Sequence, residues 1–106
     1  MKRYDVRWAN LDPVLGSEMS KTRLVVVVSL DDLNAVLKTV TICPLTTQLR
    51  PAWRTRLPCR VGGRKAEVAV DQIRTISKSR LGAKAGRLSP DEAQALRRLI
   101  TEMYGE

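Results

Sequence analysis

A mainly β fold closed by one C-terminal helix is the class this sequence predicts, on three observations. Short segments rich in β-branched residues recur along the chain, separated by Gly, Pro and Asp turn signals. Gly62-Gly63 stands between two extended runs, as in a hairpin whose tight turn needs positive φ. From Ser89 onward the spacing of apolar residues becomes helical. A length of 106 residues predicts one domain, spanning 1–106.

Each element has its own warrant. In Tyr4–Asn10, Val6, Trp8 and Asn10 alternate with Arg7 and Ala9, the pattern of a half-buried strand. Asp12-Pro13 and Gly16-Ser17 mark a loop that runs to about Thr22. Arg23–Leu30 contains four consecutive valines, a buried strand stiffened by β-branching. Asp31–Leu37 predicts one short helical turn, with Asp31 or Asp32 as its cap. Thr39–Leu45 is the next strand, and Pro44 implies a sheet edge or a bulge at its end.

After a loop at Thr46–Ala52, Trp53–Val61 and Arg64–Val70 form the hairpin around the two glycines. Gln72–Ile76 is a last short strand. Lys78–Arg87, basic and with two glycines and no acid, reads as a mobile loop. Ser89, Pro90 and Glu92 then supply an N-cap, a proline at the first helical position and the third-position acid of a capping box. Ala93, Leu96, Leu99, Ile100 and Met103 follow as one apolar face.

Charge gives the first functional clue. Nineteen Lys and Arg against eleven Asp and Glu leave a formal charge of +8, and thirteen of the nineteen are Arg. Between Asp32 and Glu67 there is no acid but seven bases: Lys38, Arg50, Arg54, Arg56, Arg60, Arg64 and Lys65. Such a field attracts polyanions, nucleic acid foremost, and Arg pairs with phosphate bidentately. A basic surface for an acidic protein partner is the competing reading.

Absences narrow the chemistry. No apolar run approaches the roughly 18 residues of a membrane helix, the longest being Leu24–Val28, and the N-terminus is charged. A soluble, cytoplasmic chain is expected. There is no His, so His-dependent zinc sites and Ser-His-Asp triads are excluded. Cys43 and Cys59 fit no metal or redox spacing and read as small buried residues. Neither a metal nor a cofactor is expected.

Three segments resemble the MazF/PemK (Kid) family of toxin endoribonucleases. Arg7–Glu18 with Lys21-Thr22-Arg23 is similar to the family's opening strand, its D-P-x-x-G-S-E loop and the G-x-R-P start of strand two. Cys43–Gln48 resembles the P-[ILV]-T-[ST] signature, and Asp71–Ile76 with Lys78–Leu81 the D-Q-[IPV]-[RK]-[TS] segment. The resemblance runs from Tyr4 through the final helix. It implies a small antiparallel barrel-like sheet with a terminal helix, assembled as a homodimer. Leu24 departs from the pattern's Pro, and Ala69 stands where some members carry an Arg. The His that some members place in the first loop is also missing.

By implication the chain is the toxin of a type II toxin–antitoxin system. It would be a metal-independent, sequence-selective endoribonuclease, cutting single-stranded RNA to 2′,3′-cyclic phosphate and 5′-OH ends. Its partner would be a cognate antitoxin with an acidic tail. Arg23 and Thr46 are the implied catalytic residues. Arg23 would stabilise charge at the phosphoryl oxygens, and Thr46 would donate a hydrogen bond there. A surface ion pair for Arg23 and a turn cap for Thr46 are the alternatives. Glu18, Thr47 and Asp71 are candidates for catalysis or RNA binding, with Asp71 equally suited to a structural ion pair. Lys21, Gln48, Arg50, Trp53, Arg54, Arg74, Lys78 and Arg80 are candidate RNA contacts. Trp53 would either stack a base or pack on the hairpin, and Trp8 would serve core or interface. A gyrase-poisoning toxin like CcdB and a non-catalytic RNA-binding relative remain the competing functions.

Overall fold

The computed structural model describes residues 1–12, 16, 18–19 and 21–105. Pro13, Val14, Leu15, Ser17 and Ser20 of the expected first loop and its motif lie outside the described residues. Seven strands build one sheet: β1 (Asp5–Asn10), β2 (Thr22–Val27), β3 (Thr39–Thr46), β4 (Arg56–Val61), β5 (Arg64–Ala69), β6 (Arg74–Ser77) and β7 (Leu81–Arg87). Two helices accompany them, α1 (Asp31–Val36) and α2 (Pro90–Tyr104). The strand order is β4-β5-β3-β2-β1-β7, with β6 also paired to β3, and every pairing is antiparallel.

The valine run forms the expected strand, though β2 ends at Val27 rather than Leu30 and Val28 lies beyond it, still buried. Both faces of β2 are covered. Val26 joins Val6, Cys43, Leu45, Val68 and Leu96 in one core. Val25 and Val27 join Ala9, Leu11, Val40 and Ile42 in another. A strand buried on both sides needs a continuous apolar run. The apolar face of α2 packs on the first core through Ala93, Leu96, Leu99, Ile100 and Met103. Its capping box is formed: Ser89 Oγ accepts from the Glu92 N–H, and Glu92 Oε1 accepts from the Ser89 N–H. Gly62 and Gly63 turn the hairpin with φ of +59° and +79°.

Four expectations need correction. Residues 78–87 are not a loop. A 3-10 turn at Lys78–Arg80 leads into β7, which pairs with β1 through two register shifts. Its small residues, Gly82, Ala83, Ala85 and Gly86, carry no apolar alternation to betray a strand. Pairing is anchored instead by charge, since buried Asp5 accepts from Arg87 at 2.8 Å and lies 3.5 Å from Lys84. Gln72–Ile76 is likewise redrawn, as a 3-10 turn at Val70–Gln72 followed by β6.

Pro44 marks no edge. It pairs with Val25 inside β3, at the point where the strand's other neighbour changes from β6, bonded as far as Ile42, to β5, bonded from Leu45. A missing N–H is tolerated at such a handover. Neither Asp31 nor Asp32 caps α1. Leu30 occupies the cap without a side-chain bond, and Asp31 Oδ1 instead accepts from the Arg3 N–H at 2.7 Å.

The sheet curls until its outer strands meet. Val61 of β4 lies 3.8 Å from the β-carbon position of Gly86 on β7. Among the described residues no helix is long and apolar enough to cross a membrane.

Candidate active site

The register of the central strands brings Arg23 and Thr46 together. Arg23 sits opposite Ala9 across the β1–β2 ladder. The last bonded pair between β2 and β3 is Val25–Pro44. Carried two residues further, the same register sets Arg23 across from Thr46. Both line one groove of about 390 Å³, together with Trp8, Thr47, Gln48 and Arg64. Arg23 is half-buried, so its stem is held while the guanidinium reaches the groove.

Thr46 is buried, and its hydroxyl oxygen accepts from the Gln48 N–H at 3.0 Å. The turn-capping role is therefore real, and it leaves the hydroxyl proton to be donated elsewhere. The same bond fixes the Thr46–Gln48 turn, and with it the three side chains on that wall. Leu24, standing where the family pattern has Pro, pairs with Trp8 and lines the groove. Ala69 is fully buried and paired with Arg56, outside the groove.

Most other candidates are engaged in holding the frame. Gln72 accepts from the Met19 N–H at 3.3 Å. Arg74 donates to the Leu11 carbonyl at 3.3 Å and lies 3.8 Å from Glu18. The segment after β5 thus anchors both sides of the first loop, and Glu18 is positioned by Arg74. Arg80 closes the loop's start, donating to the Asp12 carbonyl at 2.6 Å. Lys78 donates to the Asn34 carbonyl of α1. Lys21 takes φ of +67° in the left-handed region, held by its N–H to Asp12 Oδ1 at 2.9 Å.

Asp71 makes the structural ion pair, 3.4 Å from Arg56. Arg56 is itself buried, 3.7 Å from buried Glu67 and 4.8 Å from the centroid of the Trp53 ring. Arg50 approaches the same ring at 5.6 Å while its N–H donates to Glu67 at 2.8 Å. Trp53, half-exposed, is thus engaged by two guanidinium groups of its own chain. Arg54 pairs with Glu102 of α2 at 2.6 Å. The thiols are inert: burial first, then the Asp71 charge, pushes Cys43 up to about 12. Burial with Glu92 and Glu67 does the same at Cys59, also to about 12. No group of three His, Cys, Asp or Glu among the described residues is arranged to hold a metal ion.

Sequence reasoning missed Arg64 and the buried Arg56–Glu67 pair. The signal for Arg64 was its place as first residue after the glycine turn, in register with Ala66 on the face that meets the groove.

A family model for PemK-like, MazF-like toxins of type II toxin–antitoxin systems matches residues 2–104. The chain belongs to this family. Endoribonuclease EndoA of Bacillus subtilis (strain 168) is 34% identical over 99 residues, covering 86% of this chain and 83% of EndoA. Endoribonuclease MazF of Staphylococcus saprophyticus is 32% identical over 113 residues, covering 99% and 92% of the two chains. Among solved structures, a mycobacterial endoribonuclease in complex with its cognate antitoxin superposes with a TM-score of 0.82. It is 21% identical and covers 99% of this PemK/MazF chain and 95% of its own, so it bears on the fold alone.

Proposed function

We propose that this chain is the toxin of a type II toxin–antitoxin pair, an endoribonuclease that cuts single-stranded RNA without a metal. The observation that carries the reading is the shared groove of Arg23 and Thr46, continuous with the Thr47–Gln48 wall. The endoribonuclease names of both sequence relatives favour it over a gyrase-poisoning role. RNA brings its own nucleophile. The 2′-oxygen attacks the adjacent phosphorus, loses its proton, and the bond to the 5′-oxygen breaks as that oxygen gains one. The products are a 2′,3′-cyclic phosphate and a 5′-OH.

Negative charge accumulates on the phosphoryl oxygens between those events. Arg23 meets it with its guanidinium, and the Thr46 hydroxyl donates a second hydrogen bond. Gln48 and Thr47, which line the groove, would contact the flanking nucleotide, while Glu18, 3.8 Å from Arg74, is not among the residues lining it. The protein works in the cytoplasm as a homodimer, restrained by an antitoxin whose acidic tail meets the basic groove. Incubation with a long RNA in excess EDTA tests the reading: cleavage should persist, with 5′-OH ends, while DNA survives. A strict requirement for Mg²⁺ or Mn²⁺ would overturn it.

A further inference from the structure

Beside the groove lies a second cleft of about 440 Å³, separated from it by Ala66, which lines both. Its lining is apolar through Leu49, Pro51, Pro58 and Cys59, and Arg60 and Lys65 also line it. Resting on the endoribonuclease reading, we propose that the RNA strand leaves the Arg23–Thr46 groove over Ala66 and seats its next nucleotide in this cleft, with Arg64 and Lys65 binding the phosphates along the way.

Strand geometry places the two bases. Successive side chains of a strand point to opposite faces, so adjacent residues at the start of β5 serve different sides. Arg64 accordingly lines the groove and Lys65 the cleft. Their side chains make no hydrogen bond or ion pair among the described residues. That sets them apart from Arg54, Arg74, Lys78, Arg80, Lys84 and Arg87, whose charges are spent on acids or carbonyls of this chain.

Two acids also line the cleft, and both are satisfied internally. Glu67 accepts from the Arg50 N–H and lies against Arg56. Glu92 accepts from the Ser89 and Arg60 N–H groups through its two oxygens. A track of unpaired cations beside a flat apolar surface suits single-stranded nucleic acid, whose phosphates and base faces alternate. The competing occupant is an acidic peptide, which would use the same cations.

The test measures affinity for RNA blocked by 2′-O-methyl at the cut site across a salt series, alongside single-turnover cleavage of the unblocked RNA. Arg64→Ala with Lys65→Ala should reduce the slope of log affinity against log salt by about 1.4, at about 0.7 per phosphate contact on a single strand. Affinity should fall about ten-fold or more, and Lys65→Ala alone, which lines only the cleft, should hold the saturated cleavage rate within about three-fold, because its lost contact binds ground and transition states alike. Arg97→Ala, an exposed base on α2, should leave the slope unchanged. Trimming the RNA from each end should reveal one end whose loss weakens the wild type but not the double variant.

An unchanged slope, or identical trimming profiles, would overturn the subsite. So would a hundred-fold fall in the saturated rate of Lys65→Ala, which would make that residue part of the chemistry. A double variant that binds RNA normally but escapes inhibition by polyglutamate would assign the cleft to a peptide instead. Failure of the wild type to cut RNA in EDTA would sink the functional reading, while the slopes would still decide the subsite.

Discussion

The seam where β1 meets β7 and the end of the β4–β5 hairpin are both basic, yet they use their charge in opposite ways. At the seam, Lys84 and Arg87 surround buried Asp5. At the hairpin, Arg64 and Lys65 find nothing in this chain to pair with, among the described residues. The contrast teaches that a formal charge of +8 says a polyanion is attracted, not where it sits. Position is given where cations without a partner among the described residues also border the groove and the cleft, as Arg64 and Lys65 do.

The sharpest way to break this contrast is to remove a cation the fold has claimed. Arg56→Ala leaves Glu67 buried without its guanidinium and should cost about 3–5 kcal/mol in urea unfolding, whereas Arg56→Met should recover part of the loss. Loss of RNA binding with stability intact would mean Arg56 belongs to the substrate side after all.

At the groove the expected effect is on rate. Arg23→Ala and Thr46→Val should each lower single-turnover cleavage by about 10²-fold or more, equivalent to roughly 3 kcal/mol, the scale for one preorganised donor. Affinity for blocked RNA should change far less, since other bases share the phosphates. Near wild-type rates in both variants would move the active site elsewhere.

The seam is sensitive to pH. Burial alone would raise the Asp5 carboxyl, but the Lys2 N–H, Arg87 and Lys84 outweigh it and hold it below the ordinary range. A carboxylate depressed in the folded state stabilises fully above its unfolded value, near 3.9, and that stabilisation disappears as pH falls through the folded one. Asp5→Asn should therefore cost about 1–3 kcal/mol at pH 7, on the scale of hydrogen bonds to a charged group. The gap to wild type should narrow in strongly acid buffer. A gap independent of pH would show that charge does not hold the seam.

The smallest effect concerns Lys21, held at φ +67°. The family pattern has Gly at this position, and the left-handed conformation explains why. Lys21→Gly should raise stability by about 0.5–1 kcal/mol, the relief of left-handed strain less the added chain entropy. A loss would mean that contacts of the lysine stem outweigh the strain.

Much of this was legible in the sequence because local chemistry determined it. The Ser89–Glu92 box, the glycine turn and the valine run each announce their element through a single physical requirement. Arg23 and Thr46 were singled out by motif, and register explains why two segments so far apart in sequence meet. The strand at 81–87 was not legible, because glycine and alanine carry no pattern and its warrant, Asp5, lies at the other end of the chain. That Arg74 and Arg80 grip carbonyls of this chain was not legible either, because nothing local distinguishes such a guanidinium from one open to solvent.

The seam also sets the order in which a nascent chain becomes active. Trp8, one wall of the groove, lies on a strand whose outer neighbour is β7, and Asp5 pairs with Arg87. Contacts that far apart form late, after the cost of closing the loop between them has been met. A ribosome that has delivered Arg23 and Thr46 has therefore not yet delivered a supported groove. Nuclease activity should emerge only after β7 has been made and has paired with β1, which delays the toxin's first cut until well after Arg23 and Thr46 have been delivered.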